Sequence, residues 1–113
     1  VPWNLSLGEN CAVGDNAKLY SLGNITVGAR ATVSQGAHLC AGTHDLGDPA
    51  RALLKPPIVI GADAWICAEA FVGPGVNIGE RAIVGARAVV MRDVNENTTV
   101  VGNTARPVNQ SAI

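Results

Sequence analysis

An aliphatic residue followed by a small one returns every six positions along this chain, and few folds accept that spacing. The series runs Leu7-Gly8 and Val13-Gly14, then Val27-Gly28, Val33-Ser34 and Leu39-Cys40. It resumes with Ile60-Gly61, Ile66-Cys67, Val72-Gly73, Ile78-Gly79, Val84-Gly85 and Val90-Met91. Four places after each aliphatic stands a second small or apolar residue: Cys11, Ala17, Ala31, Ala37, Thr43, Ala64, Ala70, Val76, Ala82, Ala88 and Val94. An amphipathic helix repeats its apolar positions at about 3.6 residues, so a period of six excludes it. The period fits a coil with three flat faces, each made of one short strand and one turn. The aliphatic fills the interior and the second small residue sits where the chain bends. Three units make one coil, and coils stack at the parallel-strand spacing of roughly 4.8 Å. Each coil buries its apolar row only against its neighbours. The expectation is an all-β parallel β-helix of about four to five coils, the range that the spacing leaves room for.

Residues 18 apart then sit one above another: Ile60 over Ile78, Ile66 over Val84, Val72 over Val90. The same register sets Asp63 beside Arg81 and Glu69 beside Arg87, two opposite-charge pairs that played no part in setting the phase. An exposed pair contributes only about 0–1 kcal/mol, so these speak for register rather than stability. The period breaks twice. Leu19 and Val27 are eight apart rather than six, a two-residue bulge within residues 20–26. After His44 the phase is lost until Ile60, and residues 45–57 read as one loop thrown out from the coil. That loop holds the turn formers Gly47, Asp48 and Pro49 and closes on Pro56-Pro57. Residues 95–113 leave the repeat and are expected to run as a tail over the last coil, covering its open edge. The whole of 1–113 reads as a single domain.

Composition narrows the partners. The 113 residues are 48% apolar but only 4% aromatic, so the core must be Val, Ile, Leu and Ala. Charged residues make up 15%, below the usual quarter, which suits a neutral surface that packs against copies of itself. A net charge of −1 gives no reason to invoke nucleic acid or an anionic membrane. No apolar run approaches the roughly 18 residues of a membrane span, and no signal peptide shows. Cys11, Cys40 and Cys67 are odd in number and lack a C-x-x-C spacing. They read as small buried thiols in a reducing, cytoplasmic compartment rather than a disulfide framework or a metal site. Residue 1 is Val, which leaves a trimmed or fragmentary chain among the readings.

Two histidines are candidates for chemistry. His44 ends a repeat unit immediately before the extruded loop, which puts an imidazole at the edge of a coil, facing a cleft beneath that loop. His38, six residues earlier, falls one face away and reads as a surface or satisfied residue. Trp65 occupies an outward position, where burial inside the prism is impossible. It is either a wall of a cleft or subunit interface, or a plain exposed ring.

The residues Ile60-Gly61-x-x-x-Trp65-Ile66, Pro74-Gly75-Val76-x-Ile78-Gly79, Val84-Gly85-Ala86 and Gly102-Asn103-x-Ala105-Arg106 resemble those of the hexapeptide-repeat acyltransferases. The resemblance covers nearly the whole chain. Pro2-Trp3-Asn4-Leu5, Leu19-Tyr20-x-Leu22-Gly23 and Gly42-Thr43-His44-Asp45 are similar to the colanic-acid-type members, relatives of the galactoside and maltose acetyltransferases. Thr104 stands where the family signature has proline, and family members are generally longer at the N-terminus. The resemblance implies a left-handed β-helix, a homotrimer, and acetyl-CoA in the groove between adjacent prisms. It implies that His44 is the general base that takes the proton of an acceptor hydroxyl, whose oxygen attacks the thioester. An imidazole suits that role because its reference pKa of about 6.5 leaves it largely neutral near pH 7. Asp45, or a carboxylate of a neighbouring subunit, is the candidate to orient it. Ala68 and Ala86 lie 18 apart on one line of the prism, and the family's residues there contact the pantetheine arm. Arg92 and Arg106 match positions of basic residues near the CoA phosphates, the alternative being solvated charge. Asp45 and Arg51 in the loop, with Asp48 and Lys55, offer polar groups to a sugar or polysaccharide precursor, and equally to an amine-bearing or drug-like acceptor.

Rival readings use the same fold. A carbonic anhydrase of the three-histidine zinc type needs one histidine more than this chain has. An ice-binding face needs ranks of Thr, whereas Thr26, Thr32, Thr43 and Thr98 fall at different repeat positions. A non-catalytic scaffold has no need of the His44 loop. An inactive acetyltransferase fragment remains the other alternative to an O-acetyltransferase.

Overall fold

Most of the short strands end because the chain turns through a left-handed residue. In the computed structural model, which describes residues 2–109, Asn10, Asn16, Arg30, Asp63, Glu69, Arg81, Arg87 and Asn97 all have φ between 57° and 60°, and Gly36 and Gly75 have φ of 70° and 76°. Such residues recur about every six positions, and each bends the backbone by one corner of a triangle.

The result is a left-handed parallel β-helix. After a 3₁₀ turn at Pro2–Asn4, coil one comprises β1 (Leu5–Leu7), β2 (Ala12–Val13) and β3 (Lys18–Tyr20). Coil two comprises β4 (Ile25–Val27), β5 (Thr32–Val33) and β6 (His38–Cys40), and is followed by a hairpin of β7 (Thr43–His44) and β8 (Leu53–Leu54). Coil three holds β9 (Ile58–Ile60), β10 (Trp65–Ile66) and β11 (Phe71–Val72), and coil four β12 (Asn77–Ile78), β13 (Ile83–Val84) and β14 (Val89–Val90). A fifth turn carries β15 (Thr99–Val101), and β16 (Arg106–Val108) folds back on it. Face one stacks β1-β4-β9-β12, face two β2-β5-β10-β13-β15-β16, and face three β3-β6-β11-β14. All these pairings are parallel except β15 with β16.

The expected stacking is present: Ile60 pairs with Ile78, Ile66 with Val84 and Val72 with Val90. These residues fill the interior with Val27, Val33 and Leu39, all buried. The small residue after each aliphatic has a direct cause at Gly61. A Cβ there would lie 2.6 Å from the backbone nitrogen of Glu80 in the next coil, closer than atoms can approach.

Up to Val100, every departure from six falls on one edge of the prism, where face three returns to face one. Leu5 pairs with Ile25 (25 − 5 = 20), Ile25 with Ile58 (33), Ile60 with Ile78 (18) and Ile78 with Val94 (16). The first excess is the two-residue bulge read from the sequence. The second is the extruded loop, which starts earlier than expected. Thr43 and His44 do not close a repeat unit but form the first strand of the hairpin, paired with Leu54 and Leu53. The last departure is a shortening by two, and it corrects the expected tail. Val94 stacks on Ile78 and Val100 on Val84, so residues 95–101 continue the helix, and a parallel bridge from Asn103 to Val89 is its last step before β16 folds back. Residues 110–113 of that tail lie outside the described residues. One expected charge pair is corrected although its register holds, with Arg81 N bonded to Ala62 O at 3.0 Å. Glu69 meets Arg87 at 3.0 Å, but Asp63 is held by Arg30 through two bonds of 2.9 and 3.0 Å. Arg81 turns instead to Glu80, Glu96 and Asn97. Arg30 lies 33 residues before Asp63, across the loop, where an 18-residue register does not look. At the far end of the stack, the inward Leu7 and Val13 of coil one are partly exposed, with no coil before them among the described residues. No helix there is long and apolar enough to cross a membrane.

Candidate active site

The edge between faces two and three carries a groove of about 740 Å³. Trp65 forms one wall. It precedes the inward Ile66, so strand alternation turns it outward, and 47% of it stays exposed. Its indole Nε1 donates to Ser34 Oγ at 3.0 Å, which fixes the ring against the preceding coil. Ala68 and Ala86 lie on the floor beside Cys67, Gly85 and Val101. Arg87 N donates to Ala68 O at 2.9 Å, locking these two coils together beneath the floor. A shallower depression shares Gln35 and Ala68 and continues the strip past Glu69 to Asp15 and Asn16. The edge therefore offers a largely apolar groove bounded by an aromatic ring, with a more polar extension toward Glu69 and Asp15. Burial pushes the Cys67 thiol up, so it faces the groove as a neutral group.

The hairpin builds a different arrangement. Asp45 Oδ1 accepts from Gly47 N at 2.9 Å, and Asp48 accepts from Ala50 N at 2.9 Å and Ala52 N at 3.3 Å. Arg51 takes a left-handed φ of 53°, and its Nη1 donates to the carbonyls of Leu46 (2.7 Å) and Asp48 (3.0 Å). Its own carbonyl sits 2.9 Å from His44 Nδ1. A carbonyl only accepts, so Nδ1 carries the hydrogen and, in the neutral ring, Nε2 keeps its lone pair. The exposed imidazole thus presents a free basic nitrogen to solvent. Among the described residues Nδ1 meets this carbonyl, while the Asp45 carboxylate is taken up by Gly47 N. Asp45 and Arg51 both use their side chains to brace the loop.

The expected site residues divide between two edges. Trp65, Ala68 and Ala86 line one groove. Arg106 in β16 pairs across the ladder with Val101, which lines the same groove. Arg92 follows β14 at the edge between faces three and one, away from the groove, and so do His44, Asp45 and Arg51 of the hairpin. His38 sits apart from both, on β6, its ring edge-on to Phe71 at 5.3 Å. Burial and the nearby Lys18 hold its imidazole below the usual histidine range. Sequence reasoning missed Ser34 as a groove residue, and it gave Asp48 as a polar group for the acceptor rather than as a brace of the loop. Ser34 occupies the small position of its unit, one coil before Cys67, and that stacking was hidden by the loop's shift of register.

A family model described as bacterial transferase hexapeptide (six repeats) matches residues 57–92. The Escherichia coli K12 protein named as colanic acid biosynthesis acetyltransferase WcaF is 43% identical over 104 residues, 92% of this chain and 57% of the relative. The chain belongs to the hexapeptide-repeat transferases. Among solved members, a maltose O-acetyltransferase of Clostridium difficile superposes with a TM-score of 0.89 at 25% identity, over 95% of this chain and 59% of the other. A hexapeptide-repeat acetyltransferase of Vibrio cholerae, solved with acetyl coenzyme A, gives 0.88 at 29% identity over 94% and 60%. This hexapeptide-repeat chain thus spans under two thirds of the length of these relatives.

Proposed function

We propose that this chain forms the β-helical part of an O-acetyltransferase that moves an acetyl group from acetyl-CoA to a hydroxyl of a sugar or polysaccharide precursor. The observation that carries the reading is the side-chain-poor track of Ala68 and Ala86 under Trp65, which fits an extended pantetheine arm. The acetyl-CoA complex of the Vibrio cholerae relative supports it. Arg106, beside the groove, and Arg92 supply cations for the CoA phosphates, Arg92 from a neighbouring copy. The groove and His44 lie on different edges of one prism, so the complete site joins two copies, and the assembly is a homotrimer with three such joints. His44 Nε2 takes the proton of the acceptor hydroxyl as its oxygen attacks the acetyl carbonyl carbon. The C–O bond forms, the C–S bond breaks, and the proton held by His44 passes to the departing thiolate. Asp45 and Arg51 shape the acceptor side of the site through the loop they brace. The three cysteines are all free thiols, which suits the reducing cytoplasm where acetyl-CoA is available.

The test is release of free CoA thiol from acetyl-CoA across a panel of free and nucleotide-linked sugars, with His44→Ala in parallel. The expected result is sugar-dependent release that falls about 10²- to 10⁴-fold in the variant while acetyl-CoA binding is retained. An undiminished rate in His44→Ala would remove the base from this site. Light scattering should report three chains per particle.

A further inference from the structure

We propose that Arg51 and Asp48 are positioning residues that set the tautomer of His44 by fixing the loop carbonyl that meets its Nδ1. The inference rests on the reading of His44 as base and names the groups that make it one. His44 Nδ1 meets the Arg51 carbonyl at 2.9 Å while Arg51 holds φ 53°, a left-handed conformation that is unfavourable for a non-glycine residue. Several bonds hold it there. The Arg51 guanidinium hooks back onto the Leu46 and Asp48 carbonyls, and Arg51 N donates to Asp48 O at 2.8 Å. The Asp48 carboxylate takes the amides of Ala50 and Ala52 on either side of Arg51. The peptide whose oxygen faces the imidazole is thereby fixed from both flanks.

This arrangement has a chemical consequence. A free neutral imidazole side chain favours hydrogen on Nε2, the atom that must be bare to accept a proton. Bonding Nδ1–H to a fixed carbonyl inverts that preference. A carboxylate partner would do the same and would also stabilise the imidazolium. A neutral carbonyl orients the ring without adding a full negative charge.

Arg51→Gly keeps the left-handed φ without strain and removes the guanidinium hooks, and Asp48→Ala removes the carboxylate. Long-range proton–nitrogen correlation spectra on ¹⁵N-histidine protein read the tautomer directly, with His44→Ala to assign the two rings. In the parent, neutral His44 is expected with hydrogen on Nδ1. In both variants the signal should move toward the Nε2–H form. The kcat should fall about 10- to 100-fold, a share of what a general base supplies, with the KM for acetyl-CoA unchanged because the groove is untouched. Arg51→Lys, which retains one donor for the same carbonyls, should recover part of both effects. Unchanged Nδ1–H tautomer in Arg51→Gly and Asp48→Ala would overturn the proposal whatever the activity, and so would a parent-like kcat alongside a shifted tautomer. Full activity of His44→Ala would instead overturn the reading of His44 as base and leave the tautomer result standing on its own.

Discussion

Replacing Ile60 by alanine tests whether the stability of this prism resides in its stacked aliphatic columns. Ile60 is 1% exposed and lies between Val27 and Ile78 on face one. Alanine removes three buried carbons, about 2.4 kcal/mol at roughly 0.8 kcal/mol each. The neighbours are held in register by hydrogen bonds such as Gly61 N to Ile78 O at 2.7 Å, so they cannot collapse into the hole. A residual cavity adds to the loss, for a total of about 3–4 kcal/mol. Leu7 is the control: it stands in the same column, two coils away, but is 50% exposed. Leu7→Ala surrenders about half the transfer term and opens no closed cavity, so about 1 kcal/mol is expected. Urea unfolding of the three proteins measures both, the midpoint shifting at constant slope. Equal losses at the two positions, or a loss at Ile60 under about 1 kcal/mol, would refute the reasoning.

Other expectations concern particular groups. Gly61→Ala should destabilise by about 1–3 kcal/mol because its Cβ meets backbone at 2.6 Å. Gly47→Ala, whose nearest neighbour is the Asp45 carboxylate at 3.4 Å, should be neutral or gain about 0.4–1 kcal/mol, and thermal melts compare the two. The buried Thr99 hydroxyl has no hydrogen-bond partner among the described residues, so Thr99→Val should raise stability by about 1 kcal/mol in the same assay. His38 has its folded pKa below 6.5, so between that value and 6.5 the unfolded chain binds more protons and stability rises with pH. Its contribution should be complete above about 6.5 and lost as pH falls toward the folded pKa. Denaturation midpoints from pH 5 to 8 should lose that component in His38→Gln.

The repeat made most of the fold legible, because a two-position rule at a fixed period reports directly on interior packing. The stacks of Ile60, Ile66 and Val72 follow from counting alone. Counting failed where the edge between faces three and one changed length. A shortening by two after Val90 hid Val100 as a core residue and the stacking of Val94 on Ile78, and the 33-residue step hid the bond between Arg30 and Asp63. The groove was legible for the same reason as the core, since Trp65, Ala68 and Ala86 occupy fixed repeat positions. The loop was not, since no periodicity governs it. Which atom orients His44 depends on a left-handed turn at Arg51 that hydrogen bonds impose and residue type does not suggest.

Thermal unfolding with increasing acetyl-CoA, in the parent and in Ala86→Trp, tests most directly whether the groove between faces two and three is the donor site. Ala86 is exposed on the groove floor, so tryptophan there should fill the track and leave the melting temperature without ligand near that of the parent. At about 100 times its dissociation constant a ligand of the folded state adds roughly 2.7 kcal/mol, a rise of several degrees. The rise is expected in the parent and should vanish in Ala86→Trp. No rise in the parent at millimolar acetyl-CoA, or an equal rise in both proteins, would contradict the assignment.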